Sequence, residues 1–174
     1  MFNNSDLHTN VDFHQAIYHW FADSFDHPTP PQIQGWPPIF RGENTLILAP
    51  TGSGKTLTAF LVCIDQLLKK LIQNDPPDGV HTLYISPLKA LNYDIERNLK
   101  APLAGIRQKA LDTNLDLPEI SVAVRTGDTT QKERELMLRK PPHILITTPE
   151  SLHLLLTSQR AQRMSSSVMA PSPS

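Results

Sequence analysis

The sequence predicts an α/β fold, a parallel sheet with helices on both faces. Three observations carry the prediction. Short apolar runs alternate with helix-periodic segments along the chain. A glycine-rich turn, Ala49-Pro50-Thr51-Gly52-Ser53-Gly54-Lys55-Thr56, stands between one such run and one such segment. The polar stretches after the later runs emerge together at the carboxyl ends of strands, the edge where open parallel sheets hold ligands.

The elements follow in order. Val11 to Phe25 carries Phe13, Ala16, Ile17, Trp20 and Phe21 at the spacing of one helical face, and Pro28, Pro30 and Pro31 end it. Gln32 to Phe40 restarts as a short segment, in which Pro37 and Pro38 argue against a regular long helix. A turn at Arg41–Asn44 leads into a first strand at 45–50. Beyond the glycine turn, Leu57, Phe60, Leu61, Ile64, Leu67, Leu68 and Leu71 keep a 3.6-residue period until the Pro/Gly/Asp cluster at 75–79. A second strand is expected at 81–86, then a helix over 88–106 with Pro102 as a break. A third strand at 120–124, a charged helix at 130–140, a fourth strand at 143–148 and a helix at 150–159 complete the alternation. From Met164 the sequence is rich in Ser and Pro without period, which predicts a disordered tail. The expected organisation is an N-terminal helical segment (1–27), an α/β domain (28–163) and the tail (164–174).

Length and composition bound the function classes. With 174 residues and 39% hydrophobic content the chain can bury one sizeable core. Charge is uneven. Residues 1–88 hold four basic against eight acidic residues, and residues 89–174 hold twelve against nine. The basic second half favours an anionic partner, nucleic acid being the obvious one. Cys63 is the only cysteine, so no intrachain disulfide forms and a reducing compartment fits; its helical register predicts a buried residue. The seven histidines show no ligand spacing with Cys63, so no metal cluster is expected. No apolar run has the length of a membrane span and no leader pattern opens the chain. The expected location is cytoplasmic, with no membrane partner.

Strand, glycine turn and helix in that order make a phosphate-binding loop. Gly52 and Gly54 let the backbone curl so that successive N–H groups point at one anion. The helix that begins there adds unpaired N–H groups and the positive end of its dipole. Lys55 supplies a full charge for the outer phosphates, and the Thr56 hydroxyl is a ligand for Mg2+. Thr51, Gly52, Ser53, Gly54, Lys55 and Thr56 are thus the expected nucleotide-binding residues, with Mg2+ beside the nucleotide. Ala49 stands where the general pattern has its first glycine.

Five segments then resemble, in order, the first motor domain of superfamily 2 DEAD/DEAH-box helicases, in wording similar to the large helicase-related (Lhr-type) family. Pro28-Thr29-Pro30-Pro31-Gln32 with Gly35-Trp36 resembles the Q-motif region, and Ala49 to Thr56 is similar to motif I, where alanine at the first position is usual. Ser86-Pro87-Leu88-Lys89-Ala90-Leu91-Asn92 resembles motif Ia, and Val124-Arg125-Thr126-Gly127-Asp128-Thr129 the next nucleic-acid segment. Thr147-Thr148-Pro149-Glu150-Ser151-Leu152 resembles motif Ib. The resemblance covers residues 11–163 and implies a P-loop NTPase (RecA-like) sheet. It also implies that the nucleotide is ATP and that Gln32 reads adenine, with an aromatic partner among Trp20, Phe21 and Phe25. Pro87, Lys89, Arg125, Thr126, Gly127, Thr148 and Pro149 would hold single-stranded DNA or RNA by its phosphates, without reading its sequence. Asp128 and Glu150 read as caps of turns or helix starts rather than catalysts.

One departure limits the activity that the resemblance implies. Relatives continue from motif Ib into a strand ending Asp-Glu-x-His, whose acids hold Mg2+ and orient the attacking water. This chain contains no Asp-Glu dipeptide. No catalytic residue is therefore assigned. The chain is expected to be an amino-terminal part of one motor domain, truncated before the motif II strand and unable to hydrolyse ATP alone. Two other readings stay open, a non-enzymatic nucleotide- or nucleic-acid-binding module and a remnant without function. In the motors it resembles, the strands beyond motif Ib neighbour the phosphate-loop strand. Strand 45–50 is accordingly expected to lack its usual neighbours, and the chain alone to be marginally stable and prone to aggregate.

Overall fold

A computed structural model describes residues 11–87 and 89–157, excluding the side chains of residues 89–94 and 97. The Ser/Pro tail at 164–174 lies outside the described residues. In chain order the elements are α1 (Gln15–Ser24), α2 (Pro30–Phe40), α3 (Lys55–Ile72), β1 (Thr82–Ile85), α4 (Lys89–Asp112), β2 (Val122–Arg125), α5 (Gln131–Arg139), β3 (Ile144–Thr147) and α6 (Pro149–Thr157). They form two compact units. The first takes the residues up to Lys69 with Pro102–Leu117, and the second takes Lys70–Ala101 with the chain from Pro118.

The first unit is built on aromatic and α3 side chains. The α3 period puts Phe60, Leu61, Ile64, Leu67 and Leu68 on a buried face. On the N-terminal side Phe13 meets Trp36 edge-on at 5.0 Å and Phe40 at 5.1 Å, and Phe21 meets Trp36 at 5.4 Å. Such edge-to-face contacts add to burial. Trp20 lies against Gly105 of α4, where a Cβ would stand 2.3 Å from the indole nitrogen, so only glycine fits there. Asp65, fully buried on α3, accepts the His14 N–H at 2.6 Å and faces Lys69 at 2.8 Å. Burial pushes its carboxyl above the ordinary range, opposed by those two partners.

The second unit holds the sheet. Its three strands are parallel in the order β1-β3-β2, with Thr82 to Ile85 beside Ile144 to Thr147 and Val122 to Arg125 on the other flank. The central strand β3 is buried along its whole length, as a strand covered on both faces must be. Leu145 joins Val80 and Leu155 of α6 in a cluster covered by Leu83, Met137 and Leu138. The α/β parallel architecture expected from the sequence is the one observed.

Four local expectations are corrected. Residues 45–50 form no strand. Leu46 is 83% and Leu48 85% exposed, while Ile47 between them lies against Gly35 of α2. The alternation of a strand is there, but among the described residues no backbone hydrogen bond involves residues 44–48. Extended backbone becomes a strand only through a neighbour's N–H and C=O groups. Second, α2 is an eleven-residue helix despite Pro37 and Pro38. Pro30 at its first position is pre-set for the helix, and the buried Trp36 holds the interior prolines in register. Third, α4 runs on through Pro102 to Asp112. Leu99, Ile106 and Ala110, buried along one face on both sides of the proline, outweigh the lost hydrogen bond. Cys63, expected buried, is half-buried.

The exposed leucines generate the first prediction. Leu46→Lys with Leu48→Lys leaves the Ile47 contact intact and removes the apolar edge that another chain can pair with. Light scattering at equal concentration is expected to show less association than the wild type. Equal scattering would remove this edge as the cause of aggregation.

A second prediction concerns acid. His143, just before β3, accepts the Ser121 N–H on Nδ1 at 3.0 Å, and its own N–H donates to Ser121 Oγ at 3.1 Å. Burial, then Lys140, pulls His143 below its ordinary 6.5, and burial, then Lys70 and His143, does the same to His81. A histidine with a depressed folded pKa binds its proton more readily in the unfolded chain. Stability is therefore lost as pH falls from the unfolded value near 6.5 towards the folded pKa. His143→Asn keeps an acceptor near the Nδ1 position and does not titrate. Urea midpoints at about pH 7.5 and 5.5 should fall less in the variant. An identical fall in both proteins would exclude His143.

Candidate nucleotide and nucleic-acid sites

The phosphate loop belongs to the first unit. Gly52 and Gly54 sit in the left-handed region at φ +82° and +83°, the conformation that side chains resist. The Ser53 N–H closes back on Pro50 O at 3.3 Å, and the Thr58 N–H and hydroxyl hold Gly54 O at 2.9 and 3.0 Å. Lys55 opens the eighteen-residue α3, and Thr56, next in its first turn, is exposed. Lys55 Nζ donates to the carbonyls of Ala49 and, at 2.5 Å, Pro50. The Ser53 hydroxyl is buried and has no partner among the described residues. An unsatisfied hydroxyl beside left-handed glycines and a helix N-terminus fits a polyphosphate ligand.

Gln32 and its neighbour support this loop from α2. Gln32 is 3% exposed, and its Oε1 accepts the Thr29 N–H at 2.8 Å, the backward-reaching half of a capping box. The Thr29 hydroxyl donates to Ser53 O at 2.9 Å. A Cβ on Gly54 would stand 3.0 Å from Gln32 Nε2 and 3.4 Å from Thr29 Oγ1, so the two side chains bound the loop. Thr29 also bounds the loop, a part that motif reading left unassigned. The T-x-x-Q spacing before an apolar helix was the signal for it. Of the three aromatic rings, Phe21 is 1% exposed, Trp20 packs on Gly105, and Phe25 is 41% exposed.

The remaining predicted residues lie in the second unit, at one edge of its sheet. Parallel strands put their carboxyl ends together, so the segments after β1, β2 and β3 share that edge. Pro87 is exposed beyond β1, and Lys89 begins α4, its side chain lying outside the described residues. Arg125 ends β2 half-buried, its carbonyl held by the Thr147 hydroxyl at 2.7 Å. Thr126 is buried and Gly127 exposed. Thr126 and Thr129 tie the turn to itself: the Thr126 N–H donates to Thr129 Oγ1 at 2.8 Å, and the Asp128 N–H to Thr126 Oγ1 at 3.3 Å. Thr148 is 2% exposed and accepts the Ser151 N–H at 3.3 Å, which makes its hydroxyl the cap of α6, with Pro149 and Glu150 exposed in the first turn. Pro87, Gly127 and Pro149 thus present surface, while Thr126 and Thr148 shape it from below. Among the described residues no cluster of three His, Cys, Asp or Glu side chains could hold a metal ion, and no helix is long and apolar enough to cross a membrane.

Comparison with known proteins places these features in a family. Residues 29–169 match the DEAD/DEAH box helicase family. The chain is 49% identical over 154 residues to the ATP-dependent helicase Lhr-Core of Methanocaldococcus jannaschii, a match covering 88% of this chain and 18% of that protein. It is 50% identical over 147 residues to the Lhr helicase/probable uracil glycosylase of Mycolicibacterium smegmatis, covering 84% and 10%. A solved structure of Mycobacterium smegmatis helicase Lhr bound to ssDNA and AMP-PNP aligns with TM-score 0.81 at 49% identity, over 88% of this chain and 19% of that one. The DEAD-box helicase Mss116 bound to ssRNA and UDP-BeF aligns with TM-score 0.65 at 21% identity, over 83% and 28%, a likeness of fold alone. The chain spans less than a fifth of the length of the two Lhr proteins.

The loop's support is testable without a ligand. Gly54→Ala meets both a left-handed φ and the Gln32 amide, whereas Gly42→Ala at φ +74° meets nothing within 4 Å. The Gly54 variant should lose about 1 kcal/mol or more of stability, and more than the Gly42 variant, in urea melts. Equal losses would mean that the Gln32 contact contributes nothing.

Proposed function

The chain belongs to the DEAD/DEAH box helicase family, and from that premise we propose that it is the ATP- and nucleic-acid-binding part of an Lhr-type helicase motor. The observation that carries the nucleotide assignment is the loop itself, two left-handed glycines leading into α3 with Lys55 and Thr56 in its first turn. The N–H groups of residues 52–56 wrap the phosphates. Lys55 exchanges the carbonyls of Ala49 and Pro50 for the outer phosphate oxygens, and the exposed Thr56 hydroxyl is a ligand for Mg2+. Gln32 keeps its Nε2 donors and the second lone pair of Oε1 for adenine, and Phe25 offers an exposed ring to stack on it.

When bound, Mg·ATP supplies the phosphoryl group whose transfer drives motors of this kind. This chain's residues bind and orient it. With no Asp-Glu pair in the sequence, none of them is assigned to the attacking water, and the chain is proposed to bind ATP without hydrolysing it alone. Pro87, Lys89, Arg125, Thr126, Gly127, Thr148 and Pro149, gathered at the sheet edge, are proposed to hold the backbone of single-stranded DNA or RNA.

Calorimetry with Mg·ATP tests the loop. Lys55→Ala should weaken binding roughly 10- to 100-fold, the effect of removing one charge-assisted contact. Unchanged affinity would refute the loop assignment. In a parallel phosphate-release assay, turnover should stay at background with or without single-stranded DNA. Turnover of about one per second that disappears in Lys55→Ala would overturn the reading of binding without hydrolysis.

A further inference from the structure

Among the described residues, two buried guanidinium nitrogens in the second unit have no acceptor, Nη1 of Arg125 and Nε of Arg134. No motif singles out Arg134. It lies in the first half of α5, and its Nη2 donates to Gly127 O at 3.0 Å and Thr126 O at 3.4 Å, the carbonyls of the two residues that follow Arg125. The two cations are therefore brought to one short turn. That turn is rigid. Thr147 holds the Arg125 carbonyl, Thr126 and Thr129 bond across the turn, and the Thr130–Glu133 capping box fixes the start of α5. The two acids that flank Arg134 in sequence have other partners: the Glu133 carboxylate accepts the Thr130 N–H at 2.8 Å and the Thr130 hydroxyl at 2.7 Å, and Glu135 accepts from Gln131 Nε2 at 3.0 Å.

A guanidinium stays charged at any working pH, and a buried N–H without an acceptor bears its full desolvation cost. Two such groups side by side also repel. Arg125 is pulled below its ordinary value by burial and then by the charge of Arg134. One tetrahedral anion between the forks answers both problems, because its oxygens accept the orphaned N–H groups and its charge relieves the repulsion. By occupying the Thr126 and Gly127 carbonyls, Arg134 also screens from an incoming anion the oxygens that would repel it.

We propose that Arg125 and Arg134 form a two-guanidinium cradle for a single phosphate group, Arg134 being a direct phosphate contact as well as the brace of the turn. Resting on the proposed nucleic-acid binding, the phosphate is assigned to one phosphodiester of the bound strand.

The test has two arms on the whole 174-residue chain. In the first, inorganic phosphate is titrated while the Arg Nε–Hε NMR resonances are followed, assigned with Arg125→Lys and Arg134→Lys. Both resonances should move along one saturation curve, and chloride at equal ionic strength should not move them. If neither moves, the cradle is wrong whatever the chain does with nucleic acid. In the second arm, binding of labelled oligothymidylate is measured by anisotropy across a salt series. Arg134→Ala should lower affinity about tenfold and reduce the slope of log affinity against log salt by about 0.7, the value for one phosphate contact to a single strand. Arg125→Ala should do the same, and Arg134→Lys should keep the slope while losing part of the affinity. A merely structural Arg134 shifts the affinity without the slope. An unchanged slope in Arg134→Ala beside a lowered one in Arg125→Ala therefore overturns the proposal. If phosphate moves both resonances and oligothymidylate does not bind, the cradle stands as a phosphate site and the nucleic-acid reading falls.

Discussion

The demand of extended backbone for a neighbour decides how this chain is arranged. β3 has a parallel partner on each side and is buried throughout, and the segments that continue from the strands are held by their ladders. Residues 45–50 carry as apolar a sequence, with Ile47 turned to Gly35 and Leu46 and Leu48 turned out. They differ in having no neighbour among the described residues. Propensity is alike in the two segments, and hydrogen-bonded partners separate them.

That contrast also explains how much of the fold the sequence reveals. The spacing of Phe60, Leu61, Ile64 and Leu67 locates α3 because helical hydrogen bonds are local, and the same holds for α1, α5 and α6. β1, β2 and β3 are legible because each apolar run finds its partner within the chain. A pattern in a single sequence records which face is buried, and it does not record whether a ladder exists. The interior prolines mislead for a related reason. A lost hydrogen bond at Pro37 or Pro102 is a fixed local cost, whereas the burial of side chains such as Trp36 and Ile106 that overrides it comes from tertiary packing.

At the loop, sequence and structure converge closely. Gly52 and Gly54 are needed for their left-handed φ, Lys55 starts the helix, and Thr56 faces out. The second reason for Gly54 is not in the motif. Gln32 and Thr29 lie against it, so the residue is confined by contact as well as by dihedral angle. A capping box that starts α2 thus also bounds the turn that starts α3, and the length of the Gln32 side chain sets the approach of the two helix starts within the first unit.

At the sheet edge, short hydroxyls were the hardest residues to read. A threonine in a loop is always within reach of its own backbone, and such local bonds compete with any ligand. Here that competition is decided: Thr126 and Thr129 bond across their turn, Thr130 caps α5, Thr148 caps α6 and Thr147 holds the Arg125 carbonyl. Motif resemblance treats Arg125, Thr126 and Thr148 alike, as points of contact. Burial divides them. The threonines are closed off and set the backbone, while Arg125 and its neighbour Arg134 retain buried N–H groups without an acceptor among the described residues. Chemistry at such an edge therefore falls to the long side chains and exposed backbone that the hydroxyls hold in place. The number of threonines in a motif measures how firmly a turn is fixed rather than how many contacts it makes.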